Sequence, residues 1–246
     1  MEYFYYEKEV ERIFLAASIP LFILFILYAL KILEIGMDWD FTRLGIYPRS
    51  QRGVFGIFAH TLIHSSFKHL FANTLPFFFL SWCLFFFYRK IAPYIFFFLW
   101  VVGGIITFII GKPGWHVGAS GLIYGLAFYL FFSGILRKHV PLIAISLLVT
   151  FLYGGLVWNM LPFFAKSNTS WEGHLSGAIV GTLAALLFKN FGPQKSDPFK
   201  NETLLEENEE YNIDLHNAYL NSLTQKEKFK SKTENTEDSD EKKIES

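Results

Sequence analysis

The 246-residue sequence has one cysteine, no excess of either charge and, between Phe41 and Phe188, one carboxylate, Glu172. A lone Cys83 inside an apolar run excludes a disulfide-built secreted scaffold, and it excludes a cysteine-rich metal site within one chain. Lys+Arg and Asp+Glu balance at 22 each, so there is no cationic surplus from which to build a nucleic-acid-binding face. Charged residues are only 18% of the chain, whereas hydrophobic residues are 52% and phenylalanine alone occurs 29 times. That is more apolar bulk than one soluble core needs, and it points to a lipid bilayer as partner.

The neutral total conceals two unlike parts. Residues 1–191 carry 14 Lys+Arg against 8 Asp+Glu, and residues 192–246 carry 8 against 14. A polar tail beginning at Gly192-Pro193 has too little apolar surface to offset the entropy of ordering, so residues 192–246 are expected to be mostly disordered. The organisation read from sequence is a short N-terminal segment (1–12), a membrane body (13–191) and this charged tail (192–246).

Within the body, nearly uncharged runs recur at the length that crosses a bilayer, about 20 residues at about 1.5 Å each. Six are expected: 13–30, 69–88, 91–111, 118–136, 140–162 and 173–188. The first follows an acidic leader with no small-residue cleavage site after it, and it reads as a retained span. The phenylalanine triplets at 77–79, 85–87 and 96–98 read as lipid-facing bulk.

Six spans put both termini on one side. With the termini in the cytoplasm, nine Lys and Arg flank the inner span ends, including the compact pairs Arg89-Lys90 and Arg137-Lys138, against seven spread through the outer loops. The expected setting is a multi-pass protein of a cell membrane, a bacterial inner membrane. Residues 37–68 mix polar groups with Trp39, Phe41, Leu44, Tyr47, Phe55, Ile57 and Phe58, the composition of a long loop lying partly in the interface.

Polar side chains in such spans are costly unless they are paired or face water, so they mark chemistry. One group is His60, His64, His69 and Asn73, in which spacings of four place His60 with His64, and His69 with Asn73, on shared helix faces. A second is Gly118-Ala119-Ser120-Gly121 with Tyr124 and Gly125. A third is His174 above Gly177, Gly181 and Ala185, a stripe of small residues on one helix face. Small residues every fourth position let two membrane helices approach closely, and Gly121 and Gly125 offer the matching surface. In an alternating six-span chain, helices two, four and six all start on the outer face, so all three groups share one leaflet.

Serine becomes a useful nucleophile when a neutral histidine takes its proton. Ser120 and His174 fit those roles. Glu172 lies two residues from His174 on another helix face, so a dyad is expected rather than a full triad. His69 and Asn73 are candidate side-chain donors to an oxyanion, joined by the Ser120 backbone N–H, and Tyr124 is placed to stack on His174.

The runs H-S-S-F-K-H-L-F-A-N at 64–73, G-A-S-G at 118–121 with Tyr124, and H-L-S-G-A-I-V-G at 174–181 resemble the rhomboid intramembrane serine proteases over about residues 10–190. The resemblance implies an all-α, six-helix membrane bundle that hydrolyses peptide bonds in or beside transmembrane segments of other membrane proteins, single-span ones among them, without cofactor or metal. It implies Ser120 as nucleophile, His174 as base, His69 and Asn73 as oxyanion donors, and His64 as a supporting histidine. It also implies lateral substrate access between the second and fifth spans. The adjacent Trp-Arg pair common in the family's first loop is absent; Trp39, Arg43 and Arg52 stand apart.

Two other readings compete. Rhomboid-like proteins that lack activity bind membrane clients without cutting them. A metal site drawn from His60, His64, His69, His116 and His174 is chemically reasonable, but H-E-x-x-H is absent and the core is almost free of carboxylates.

Overall fold

The computed structural model describes residues 2–152, 170–192 and Asn217, with side chains described from Val10 to Val149, in 170–192 and at Asn217. Among the described residues the regular structure is helical, with turns and loops between helices and a single β-bridge between Ile46 and His116. The helices are α1 (Glu2–Gly36), α2 (Gly56–Ala59), α3 (Phe67–Tyr88), α4 (Ala92–Ile110), α5 (Ser120–Arg137), α6 (Val140–Leu152) and α7 (Trp171–Leu187). By its contacts the chain divides into Met1–Lys195 and Ser196–Ser246, and of the second unit only Asn217 is described. The disorder expected of the tail therefore falls outside the described residues.

Four segments are long and apolar enough to cross a membrane: Val10–Gly36, Phe67–Tyr88, Ala92–Ile110 and Ser120–Arg137. They match the first four expected spans. Of the fifth, α6 covers Val140–Leu152 and the rest lies outside the described residues, while the sixth corresponds to α7, which is 17 residues long. This is a helical multi-pass membrane architecture with α5 at its centre, packed against α3, α4, α6 and, most extensively, α7; α1 packs on α3.

Local chemistry sets the helix starts. Ser66 caps α3 by accepting a hydrogen bond from the His69 N–H, and Ser170 caps α7 by accepting from Gly173 N–H, each satisfying an otherwise unpaired donor of the first turn. In the first loop, Asp40 and Ser50 cap short 3-10 turns at Phe41–Leu44 and Gln51–Gly53 in the same way.

Three expectations are corrected. The first helix continues past residue 30 to Gly36, because Lys31 and Glu34 neutralise each other at 2.7 Å in a buried pair that continues the helix. His60 and His64 do not share a helix face: His60 follows α2, and residues 61–66 are turns and extended chain. The phenylalanine triplets are not wholly lipid-facing, since Phe77, Phe85 and Phe96 are buried and Phe96 packs on both others, with ring centroids 6.1 and 5.8 Å away. Three successive helical residues span about 200° of arc, so one of each triplet must face inward.

Candidate active site

The starts of α3, α5 and α7 meet at one end of the bundle. His174 Nε2 lies 2.9 Å from Ser120 Oγ, a hydrogen bond between residues 54 apart in sequence. With the serine hydroxyl donating, Nε2 accepts and the imidazole is in its neutral form. The Tyr124 ring is stacked on His174, with centroids 4.3 Å apart and planes 10° from parallel. It holds the imidazole plane as a wall of the same size and shape would.

Glycines make this contact possible. A Cβ on Gly177 or Gly181 would run into the backbone carbonyl of Gly121 or Gly125, and a Cβ on Gly121 would stand 3.1 Å from the Gly173 carbonyl. Backbone therefore rests on backbone along α5 and α7, the closest approach two helices can make. The predicted small-residue stripe is this seam.

The turn before Ser120 is built around Gly118, whose φ of +118° disfavours any side chain and whose missing Cβ would collide with the His69 ring. The His69 ring thus occupies the space that Gly118 leaves open. Its Nδ1 lies 3.1 Å from Ser65 Oγ; with Ser65 donating, the ring proton is on Nε2, the nitrogen nearer Gly118. Asn73, one turn further along α3 from His69, is buried, and its Nδ2 has no hydrogen-bond partner among the described residues.

His64 performs a different task. Its Nε2 accepts from the Ala119 N–H at 3.2 Å, tying the residue before Ser120 to the loop that leads into α3. Burial pushes this imidazole down to about 3, with the neighbouring His69 adding to the effect, so it is neutral and able to accept. Burial likewise pushes His60 down to about 4.

Several residues here escaped the sequence reading. Lys31 Nζ donates to the His64 carbonyl at 3.0 Å while pairing with Glu34, whose other oxygen accepts from Phe41 N–H. An i,i+3 charge pair at the end of an apolar run was the available signal. His116, named above only in the metal-site reading, is buried and hydrogen-bonds through Nδ1 to Ser170 Oγ, the α7 cap, and through Nε2 to the Lys112 carbonyl. It joins the loop before α5 to the turn that carries His174. A cavity of about 20 Å³ borders Ser120, with His60, Thr107, His116 and Ser170 among its walls. Its volume suits about one water. Among the described residues, no group of three or more His, Cys, Asp or Glu side chains could hold a metal ion.

A membrane-embedded helical bundle with a serine and a histidine in contact at one end is the class these features define. The chain belongs to the rhomboid family: the family model described as Rhomboid domain matches residues 51–191. Among curated proteins it is similar to an uncharacterized protein of Mycobacterium tuberculosis, 37% identical over 151 residues, which is 58% of this chain and 62% of that protein. An uncharacterized protein of Mycobacterium leprae is 34% identical over 142 residues, 54% of this chain and 56% of that one. A protein of Acanthamoeba polyphaga mimivirus whose name includes the word rhomboid is 29% identical over 133 residues, 52% and 71% of the two chains. The chain thus spans less than two thirds of the mycobacterial relatives it matches.

Proposed function

We propose that this protein is an intramembrane serine endopeptidase acting on transmembrane segments of other proteins. The observation that carries the reading is the 2.9 Å contact of His174 Nε2 with Ser120 Oγ, with the imidazole stacked on Tyr124. A general base within hydrogen-bond reach of a hydroxyl, itself held in orientation, is the arrangement nucleophilic catalysis needs.

In this mechanism His174 Nε2 takes the Ser120 proton as Oγ attacks a peptide carbonyl, giving a tetrahedral oxyanion. The Asn73 amide, the His69 Nε2–H and the Ser120 backbone N–H are its donors. Protonated His174 then gives its proton to the leaving amine. Water then attacks the acyl carbonyl with His174 again taking its proton, and that proton returns to Ser120 Oγ as the ester bond breaks and the acid leaves. No cofactor or metal enters these steps. The dyad sits where α3, α5 and α7 begin, and the basic pairs Arg89-Lys90 and Arg137-Lys138 lie at the other ends of α3 and α5. With those pairs cytoplasmic, both termini are inside and the site opens to the outer side of a cell membrane.

The test is incubation of the purified protein in detergent with single-span substrates beside Ser120→Ala and His174→Ala, with any cut mapped by mass spectrometry. Both variants should insert and lose cleavage, and a fluorophosphonate should label Ser120 in the parent alone. Full cleavage by Ser120→Ala overturns the assignment.

A further inference from the structure

Two side-chain hydrogen bonds join the same pair of chain segments. His174 Nε2 meets Ser120 Oγ, and four residues earlier in both segments His116 Nδ1 meets Ser170 Oγ. The first bond is the dyad, and the second has no part in the chemistry described so far. Its direction is set by its neighbours. His116 Nε2 faces the Lys112 carbonyl at 2.9 Å, and a carbonyl only accepts, so in the neutral imidazole the proton is on Nε2 and Nδ1 is the acceptor. Ser170 donates its hydroxyl proton to His116 and keeps its lone pairs for the Gly173 N–H, 3.2 Å away.

Both ends of this bond are anchored. The His116 backbone exchanges two hydrogen bonds with Ile46 in the first loop, at 3.0 and 2.8 Å, and its chain leads directly into Ser120. Ser170 precedes α7, and its carbonyl accepts from the N–H of His174 itself at 3.3 Å. One residue thus receives the N–H groups of Gly173 and His174 and is in turn held by His116. The Lys112 ammonium adds a second tie between the two segments, 5.3 Å from the centre of the Trp171 ring. Such ties have a task that the glycine seam leaves open. Bare backbone along Gly121 and Gly177 fixes how near α5 and α7 approach, but it offers no side-chain ridge to resist sliding along the helix axis. A directional bond at the helix start stops that slide.

We propose that His116 is a positioning residue for the general base: through Ser170 it sets the height of the first turn of α7, and with it the reach of His174 Nε2 to Ser120 Oγ. The inference rests on the reading of Ser120 and His174 as a catalytic dyad. A misplacement of about 1 Å between reacting groups costs on the order of 100-fold in rate. Substrate binding does not depend on that distance, so the loss belongs in kcat and not in KM.

The experiment uses the full chain in detergent and separates the two nitrogens of one ring. Asparagine at 116 puts an oxygen acceptor near the place of Nδ1, and glutamine puts its amide near the place of Nε2. His116→Asn should therefore cleave a single-span substrate within about threefold of the parent, while His116→Gln should lose about 10- to 100-fold in kcat with KM within about twofold. Ser170→Thr should follow the asparagine variant and Ser170→Ala the glutamine variant. His116→Gln/Ser170→Ala should be no slower than Ser170→Ala, because the two changes remove one shared interaction. Amide exchange at Gly173 and His174, followed by mass spectrometry in a Ser120→Ala background, should quicken with His116→Gln whether or not the chain cleaves anything. Equal losses in the asparagine and glutamine variants, a loss confined to KM, or unaltered exchange overturns the proposal. A parent that neither cleaves nor takes up a fluorophosphonate overturns the dyad reading beneath it, and the exchange result tells that failure from a failure of the His116–Ser170 bond. Should the variants at 116 not fold, Ser170→Thr against Ser170→Ala decides.

Discussion

Gly177 of α7 sits directly on the carbonyl of Gly121 in α5, leaving no room for a Cβ between them. The seam is not uniform: at Gly125 an added Cβ would meet the Gly177 carbonyl and Leu99 at 3.5 Å, ordinary contact distance. Gly177→Ala must push the two helices apart at the level of the dyad, and it should cost about 1–3 kcal/mol and most of the cleavage activity. Gly125→Ala should be neutral, or stabilising by up to about 1 kcal/mol through helix propensity. Detergent-solubilised melting curves and cleavage rates of the two variants distinguish them.

Tyr124 tests whether the stacked face matters. Tyr124→Phe keeps the ring against His174, and Tyr124→Leu removes it. If the ring orients His174 as the proposed base, the leucine variant should lose more in kcat than the phenylalanine variant, with KM little changed in both. Equal losses in the two would mean that the hydroxyl, not the face, is what counts.

Asn73→Ala removes a buried donor that has no partner among the described residues. Since nothing is left unpaired, stability should hardly change, while kcat should fall about 10- to 1000-fold if the amide serves the oxyanion. Steady-state kinetics beside a melting curve separate the two effects.

The Lys31–Glu34 pair is buried, with side chains 8% exposed, and it reaches the turn before Ser120 through the His64 carbonyl and Ala119 N–H. Lys31→Met strands the Glu34 carboxylate and should cost about 3–5 kcal/mol. Lys31→Met/Glu34→Leu should recover much of that stability yet remain slow in cleavage, because the His64 carbonyl still lacks its donor. A double variant as fast as the parent would reduce the pair to a packing element.

Acid should loosen the loop before α3. Burial holds His60 down to about 4 and His64 down to about 3, below the ordinary 6.5 that each regains on unfolding. The unfolded chain then binds more protons at low pH, so stability is full above about pH 6.5 and declines as pH falls toward 3 to 4. Melting temperature against pH should show this decline, and His60→Gln should flatten part of it.

Much of this was legible in the sequence. The Ser120, His174, His69 and Asn73 set announces itself because polar groups are rare in runs so apolar, and the glycine stripe because helical period maps every fourth residue to one face. Other features were hidden for physical reasons. Which phenylalanine of each triplet turns inward depends on how α3 and α4 are rotated, and composition carries no information on rotation. The His60–His64 spacing suggested a helix that the chain does not form, since the turn residues 61–66 override the period.

Which segments are apolar enough for lipid, which helix faces are smooth and which few polar groups they carry can be read from the residues, because each of these is a property of one helix taken alone. That Ser120 meets His174 at 2.9 Å, that His69 fills the space Gly118 leaves open, and that a lysine from α1 holds the backbone of His64 are visible solely in the packed bundle. Those are relations between helices, and their offset and rotation are set by close packing of the whole bundle.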